Sequence, residues 1–434
     1  MILLSLLLCS SYSSFSQQTH YSAEVNLHAM GGTEKTLPFW MYSNSRGRFN
    51  ESTHFAGILS GMAERELYSG GKISAGGSLL FRNGSPEDLV IDEAYLHFEN
   101  SWLQATTGIK HGEEIYNGLS ASNLNMLWSL NARALPGIEF GTSSPLYFNG
   151  KNGLGVEMCW GDYYAGSDAY LEHVKIHRKS LHFVLNIENG WFLKGGLLHF
   201  AQWGGTAPSA TETAFDFQGY FRAITGRQYA TPNNHLGSWQ GLMRKELENS
   251  SIEFFTDLPF ESGTGAKLGN LPDGRYGIFW KRNEPEYLLN SLLYEFYTTR
   301  SQGGDDYLNH PYYMTGWSYK GKVIATPFFG LSEEEGNISN NNFTAHHIGI
   351  GGDLGDYYDP YPYRLLLSYG NNFGTPGVPF PRKATFLTTY FAARLYSNKI
   401  LLDLHLASDF HNLRSPNHAA GISLKYDFLQ QQIR

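Results

Sequence analysis

The chain has 434 residues, 48 of them glycine, with 15% aromatic and 17% charged residues and a formal charge of −8. No apolar run reaches the roughly 18–20 residues of a membrane helix, which excludes helical spanning. Neither a concentrated basic surface of the kind nucleic acid requires nor a Pro- or Ser-rich linker is present.

Taken in chain order, residues 2–8 are apolar and lead through small residues to Ser14-Phe15-Ser16. This pattern predicts a secretory signal over 1–16 and a single domain over 17–434. No Lys or Arg precedes the apolar run, which predicts a longer natural start, and a lipid anchor at Cys9 is the minor reading. Beyond the signal Cys159 is the one cysteine, so no internal disulfide is expected. Short polar turns then recur at Gly70-Gly71, Asn100-Ser101, Asn189-Gly190, Asn249-Ser250, Lys320-Gly321 and Ser397-Asn398, each between strand-like runs. The connections between these hairpins are longer: 111–136, 203–235, 258–287, 300–311, 330–343 and 371–383. Three alternating strands close the chain. In the last, Ala420, Ile422, Leu424, Tyr426 and Phe428 share one face and Gly421, Ser423, Lys425 and Asp427 the other. Before it, Ile400, Leu402, Leu404 and Leu406 oppose Asp403, His405 and Asp409. Strands of about nine to eleven residues, short turns at one end and long loops at the other predict an all-β, antiparallel transmembrane barrel of the outer membrane. The strand-like runs number roughly 18 to 20, and an even number is expected. A β-sandwich would not need the asymmetry of the loops.

Several segments resemble the bacterial capsule-assembly family called Wzi, particularly its Bacteroidetes forms. They are Leu37-Pro38-Phe39-Trp40-Met41-Tyr42, Arg133-Ala134-Leu135-Pro136-Gly137, His199-Phe200-Ala201-Gln202-Trp203-Gly204, His235-Leu236-Gly237-Ser238-Trp239, Pro272-Asp273-Gly274-Arg275-Tyr276, Gly316-Trp317-Ser318-Tyr319 and Ala345-His346-His347-Ile348-Gly349. The resemblance runs from about Leu37 to Phe428. It implies a barrel of about 18 strands that acts without catalysis as a lectin-like surface protein, holding capsular or exported polysaccharide. Some relatives begin with helical segments on the periplasmic side. Residues 20–36 here read instead as a strand and a Gly-rich turn.

Sugar binding calls for aromatic faces beside planar polar groups, and an acidic polymer adds Arg or Lys. Trp203, Arg222, Arg227 and Trp239 on the 203–239 stretch, and Trp280, Lys281 and Arg282 on the 258–287 stretch, are the candidate polysaccharide contacts. The competing reading places the tryptophans in the girdles at the membrane interfaces. Inward Arg364 and Arg394 are expected to pair with acids in the lumen. His173 with His177, the pair His346-His347, and Asp353, Asp356 and Asp359 are the candidate metal ligands, and none makes a three- or four-ligand set with known spacing. No catalytic motif, metal site or cofactor site is expected. The leading reading is therefore a monomeric, non-enzymatic barrel of the cell outer membrane, with loops at the surface and polysaccharide and lipid as partners. A diffusion porin is the alternative, and an exported glycosidase or outer-membrane hydrolase ranks lower.

Overall fold

The computed structural model describes residues 18–433 apart from 69, 151–152, 169, 208–216, 227–232, 285–286, 333, 335 and 356–359. The expected signal over 1–16, together with Arg227, Asp356 and Asp359, lies outside the described residues. Eighteen antiparallel strands form one closed barrel. They are β1 (Thr19–Gly32), β2 (Phe55–Glu66), β3 (Lys72–Arg82), β4 (Leu89–Glu99), β5 (Leu103–Ile109), β6 (Gly137–Thr142), β7 (Gly153–Gly166), β8 (Glu172–Ile187) and β9 (Trp191–Thr206). The second half comprises β10 (Asn234–Glu246), β11 (Ser250–Phe260), β12 (Gly274–Arg282), β13 (Ser291–Thr298), β14 (Phe343–Asp353), β15 (Pro362–Gly374), β16 (Pro379–Ser397), β17 (Ile400–His411) and β18 (Asn417–Ile433). Each strand pairs with its neighbour in sequence, and β1 closes the ring on β18 with Thr19 opposite Ile433 and Gly32 opposite Ala419. Closure leaves no sheet edge, which a strand assembly in lipid cannot tolerate.

The alternation decides which way each side chain faces. On β18, Ile422, Tyr426 and Phe428 are exposed outward while Ala419, Gly421 and Ser423 are buried inward. Leu406 on β17, Leu181 and Phe183 on β8, and Leu79 and Phe81 on β3 join them in an outward apolar belt. At about 25 cal/mol per Å² such a belt would be costly in water, and it matches the lipid-facing band of an outer-membrane barrel. Arg394 forms a two-pronged pair with Asp403 inside, at 2.6 and 3.2 Å, and Arg364 lies 3.8 Å from Glu114.

One end carries the turns 67–71, 100–102, 188–190, 247–249 and 398–399 and both chain ends. The other carries the long segments 33–54, 110–136, 207–233, 261–273 and 299–342. Three expected boundaries are corrected. The 258–287 stretch is not one loop, because β12 runs through it. The 371–383 stretch is the overlapping ends of β15 and β16 around a turn at 375–378. The Lys320-Gly321 turn joins two short strands, Ser318–Tyr319 and Lys322–Val323, within the 299–342 segment, not two barrel strands.

Candidate functional site

Three of the long segments fold inward and close the lumen. Segment 33–54 carries the short helix α1 (Phe39–Tyr42), with Trp40 and Met41 buried. Segment 110–136 buries Leu119, Ala121, Met126 and Leu127, and segment 299–342 buries Trp317, Ile324, Phe328 and Phe329. These side chains form one cluster with wall residues. A string of contacts crosses the barrel through it. Phe200 on β9 packs on Trp317, with ring centroids 5.3 Å apart, and Trp317 Nε1 donates to the Leu127 carbonyl at 2.6 Å. Thr326 N donates to the Met126 carbonyl at 2.9 Å. Two residues on, Phe328 meets Phe39 and Trp40 at 6.0 Å each. Trp40 Nε1 donates to Ser368 on β15, and Phe39 N donates to Asp409 on β17. Met41 Cε lies 3.2 Å from where a Cβ on Gly421 of β18 would stand. Strands β9 and β18 are half a ring apart, so the string spans the diameter.

The inserted loops are tied down by charges that the strands point inward. Glu295 on β13 is fully buried. It accepts hydrogen bonds from Ser120 Oγ (2.7 Å), Ala121 N (2.9 Å) and Tyr297 Oη (2.9 Å), and pairs with Arg275 on β12 at 3.3 Å. Arg275 also donates to Ser122 Oγ and to the Leu124 carbonyl. Asp257 on β11 accepts from Met126 N at 2.6 Å, and His347 on β14 is 2.7 Å from the Leu119 carbonyl. Tyr116 donates to Glu253, and burial followed by that carboxylate pushes its phenol pKa far up, so it stays protonated. Gly349 of β14 permits the close approach of loop to wall: a Cβ there would meet Leu119 Cβ at 2.6 Å. On segment 299–342, burial lowers Lys322 to about 8, and its ammonium sits 4.5 Å from the Tyr42 ring centre.

Beneath the closure lies a charged vestibule of about 640 Å³, running from Trp128 and Arg275 to Glu99 and Ser143 at the short-turn end. Arg178 pairs with Glu139 at 3.0 Å, Lys194 pairs with Glu157, and His182 meets Gln240 at 2.9 Å. The chamber is lined by paired charged and polar side chains. Among the described residues no group of three or more His, Cys, Asp or Glu is placed to hold a metal ion. His346 and His347 face opposite sides of β14, bonding Tyr294 and Ser368 respectively. His173 bonds Tyr164 and His177 bonds Asp162. Asp353 accepts from Gly355 N and Tyr361 N within its own turn.

The six sequence-derived contact residues that are described do not converge. Trp203 is on β9, not in a loop, and faces the outer wall. It is only 4% exposed, under Tyr220 of helix α2 (Phe217–Thr225) and beside Lys175. Arg222 lies on α2, partly buried. Trp239 is on the outer face of β10, its Nε1 donating to the Ala266 carbonyl at 3.0 Å. Trp280, Lys281 and Arg282 end β12 at the short-turn end, away from the long loops, with Arg282 stacked over Trp280 and Tyr287. Trp239 and Trp280 thus hold girdle positions. The residues that sequence reasoning missed are Glu253, Asp257, Arg275 and Glu295. Their signal was present as ionisable groups at inward positions of apolar strands.

No family model and no curated protein matches the chain. Among solved structures it is similar to Wzi of Escherichia coli, described as an outer membrane protein involved in group 1 capsule assembly and a carbohydrate-binding β-barrel. The identity is 13% over 92% of this chain and 83% of that one, with a TM-score of 0.58. It is also similar to OccK9 (OpdG) of Pseudomonas aeruginosa, at 12% identity over 96% and 99% of the two chains and a TM-score of 0.51. The outer membrane protein OprD of the same species gives 10%, 95%, 94% and 0.50. At these identities the likeness defines the fold. The protein is an outer-membrane β-barrel.

Proposed function

We propose that this barrel is a non-enzymatic, Wzi-like protein that holds capsular or exported polysaccharide at the cell surface, with its long-loop end outward. The observation that carries the reading is the closure at that end. A barrel built for diffusion needs a continuous wet path, whereas here three segments pack across the diameter with buried aromatics and hydrogen bonds to the wall. A closed barrel is a rigid platform for surface contacts. Wzi of Escherichia coli, described as a carbohydrate-binding β-barrel, provides the analogy.

In this orientation Trp280, Lys281 and Arg282 sit on the periplasmic side and lose their surface role. The outward rim offers a different cationic face. Arg300 lies over the Phe373 ring at 3.6 Å and donates to Asn342, and Arg382 and Lys383 are exposed on the nearby end of β16. A guanidinium held flat over a ring suits a sugar carboxylate. The test is Arg300→Glu/Arg382→Glu/Lys383→Glu in cells, with surface level of the protein verified. Cell-bound polysaccharide should fall and released polysaccharide rise, as in cells lacking the protein. In vitro binding to an acidic polysaccharide should weaken with salt. Unchanged retention in cells lacking the protein altogether would end the proposal.

A further inference from the structure

The outer wall over β7–β10 changes character partway up, and a helix covers the change. On the short-turn side, the outward residues are Leu154, Met158 and Trp160 on β7, Leu181 and Phe183 on β8, Trp191 and Leu197 on β9, and Trp239 and Met243 on β10. The next outward positions are Asp162, then Lys179, His177 and Lys175, then His199, and beyond Trp239, His235. The apolar belt therefore stops along one line. His177 bonds Asp162 at 2.9 Å, and His199 and His235 touch at 3.2 Å.

Helix α2 lies directly on this polar band. Ala223 and Tyr220 pack on Ala201 and Trp203, Tyr220 Oη donates to Asp162 at 2.8 Å, and Lys179 donates to the Ile224 carbonyl. The opposite face of α2 carries Phe217 and Phe221, 72% and 59% exposed. Residues four apart share a helix face. Two bared phenylalanines on a helix that already has a packed face have no purpose in water. At the edge of a lipid belt they continue it. Arg222 on the helix, and Lys175 on the wall with its ammonium 4.7 Å from the centre of the Trp203 ring, add positive charge to this region.

We propose that α2 is an interfacial anchor. Phe217 and Phe221 enter the headgroup–acyl boundary of the lipid leaflet around the barrel, with Arg222 and Lys175 at the level of the lipid phosphates. Amphipathic helices with this division of faces lie in that plane, and charge attraction to phosphate adds to the apolar burial. The anchor fixes α2 against the membrane beside the barrel wall.

The test uses the full barrel with Cys9→Ser and Cys159→Ser, labelled at a single introduced cysteine with an environment-sensitive fluorophore. It is reconstituted in phosphatidylcholine vesicles carrying a nitroxide either at the headgroup or deep in the acyl chain, after heat-modifiable migration confirms folding. A label at Phe221→Cys should be quenched at least about twofold more by the shallow nitroxide than by the deep one. A label at Phe183→Cys, in the belt, should show strong quenching by the deep probe. Moving the label to Thr225→Cys and adding Phe217→Ser/Phe221→Ser should abolish shallow quenching relative to the same label with both phenylalanines present. A Phe221→Cys label quenched only by aqueous iodide, or a Thr225→Cys label indifferent to loss of both phenylalanines, would overturn the proposal.

Discussion

Replacing Glu295 by Ala should convert a steadily closed lumen into one that opens intermittently. The carboxylate holds four groups of segment 110–136 or its tether: Ser120 Oγ, Ala121 N, Ser122 Oγ and the Arg275 guanidinium, which itself reaches Ser122 and Leu124. Glu295 and Arg275 are 0% and 1% exposed, so the substitution takes from a buried cation its ion-pair partner and leaves Asp257 as the remaining acid beside it. Breaking a buried pair from one side costs about 3–5 kcal/mol. The strands β12–β14 stay paired through their backbones, so the cost falls on the docking of the loop. At about 1.4 kcal/mol per factor of ten, the loop-detached population should rise by roughly 10²–10⁴-fold. Planar-bilayer recording should show a corresponding rise in brief openings over the parent protein. The double variant Glu295→Ala/Arg275→Met, which removes both charges, should return much of the closure, since an apolar replacement of a buried pair is often neutral or stabilising. Openings in the double variant as frequent as in the single one, or none in the single one, would refute the reasoning.

Gly349→Val should drive its side chain into Leu119, where even a Cβ would come within 2.6 Å, and raise protease sensitivity within 110–136 while heat-modifiable migration of the barrel is kept. Leu404→Arg, on the outward face of β17, should cost about 2–4 kcal/mol near the membrane midplane, whereas Gln104→Arg in the vestibule should cost far less; urea titration of the reconstituted protein compares them, and equal costs would mean the faces are misassigned. Lys322 has a depressed pKa of about 8 when packed, so its contribution is fully present above the free-lysine value and is lost as pH falls through about 8. The unfolding temperature should therefore rise from pH 8 toward pH 10 more in the parent than in Lys322→Met, and identical pH profiles would count against this.

The strands that face lipid on one side and water on the other were legible residue by residue. In β18 the outward Ile422 and Tyr426 and inward Gly421 and Ser423 keep period two, because the two environments differ sharply along the strand. β12 escaped notice because its inward Phe279 packs on Tyr116 of the inserted loop, with ring centroids 4.6 Å apart, so both faces carry aromatic residues and the alternation blurs. The end of β16 escaped because Pro379 and Pro381 read as loop, yet the strand there meets β15 only at the Pro379–Gly374 pair and needs few backbone donors. The direction in which the loops fold was written faintly. Residues 115–132 carry no charge and alternate Leu, Ala, Met and Trp with Ser and Asn, a composition suited to a packed interior and poor for a solvated loop. Pairing the buried acids with that loop needed the register, since Glu295 and Ser120 are 175 residues apart.

Single-channel recording of the unmodified protein in planar bilayers tests the central claim most directly. A lumen crossed by segments 33–54, 110–136 and 299–342 should give no large steady current, while a variant with 115–132 replaced by a short Gly-Ser linker, folded by heat-modifiable migration, should conduct steadily. Large steady currents from the unmodified protein would contradict the closed-barrel account.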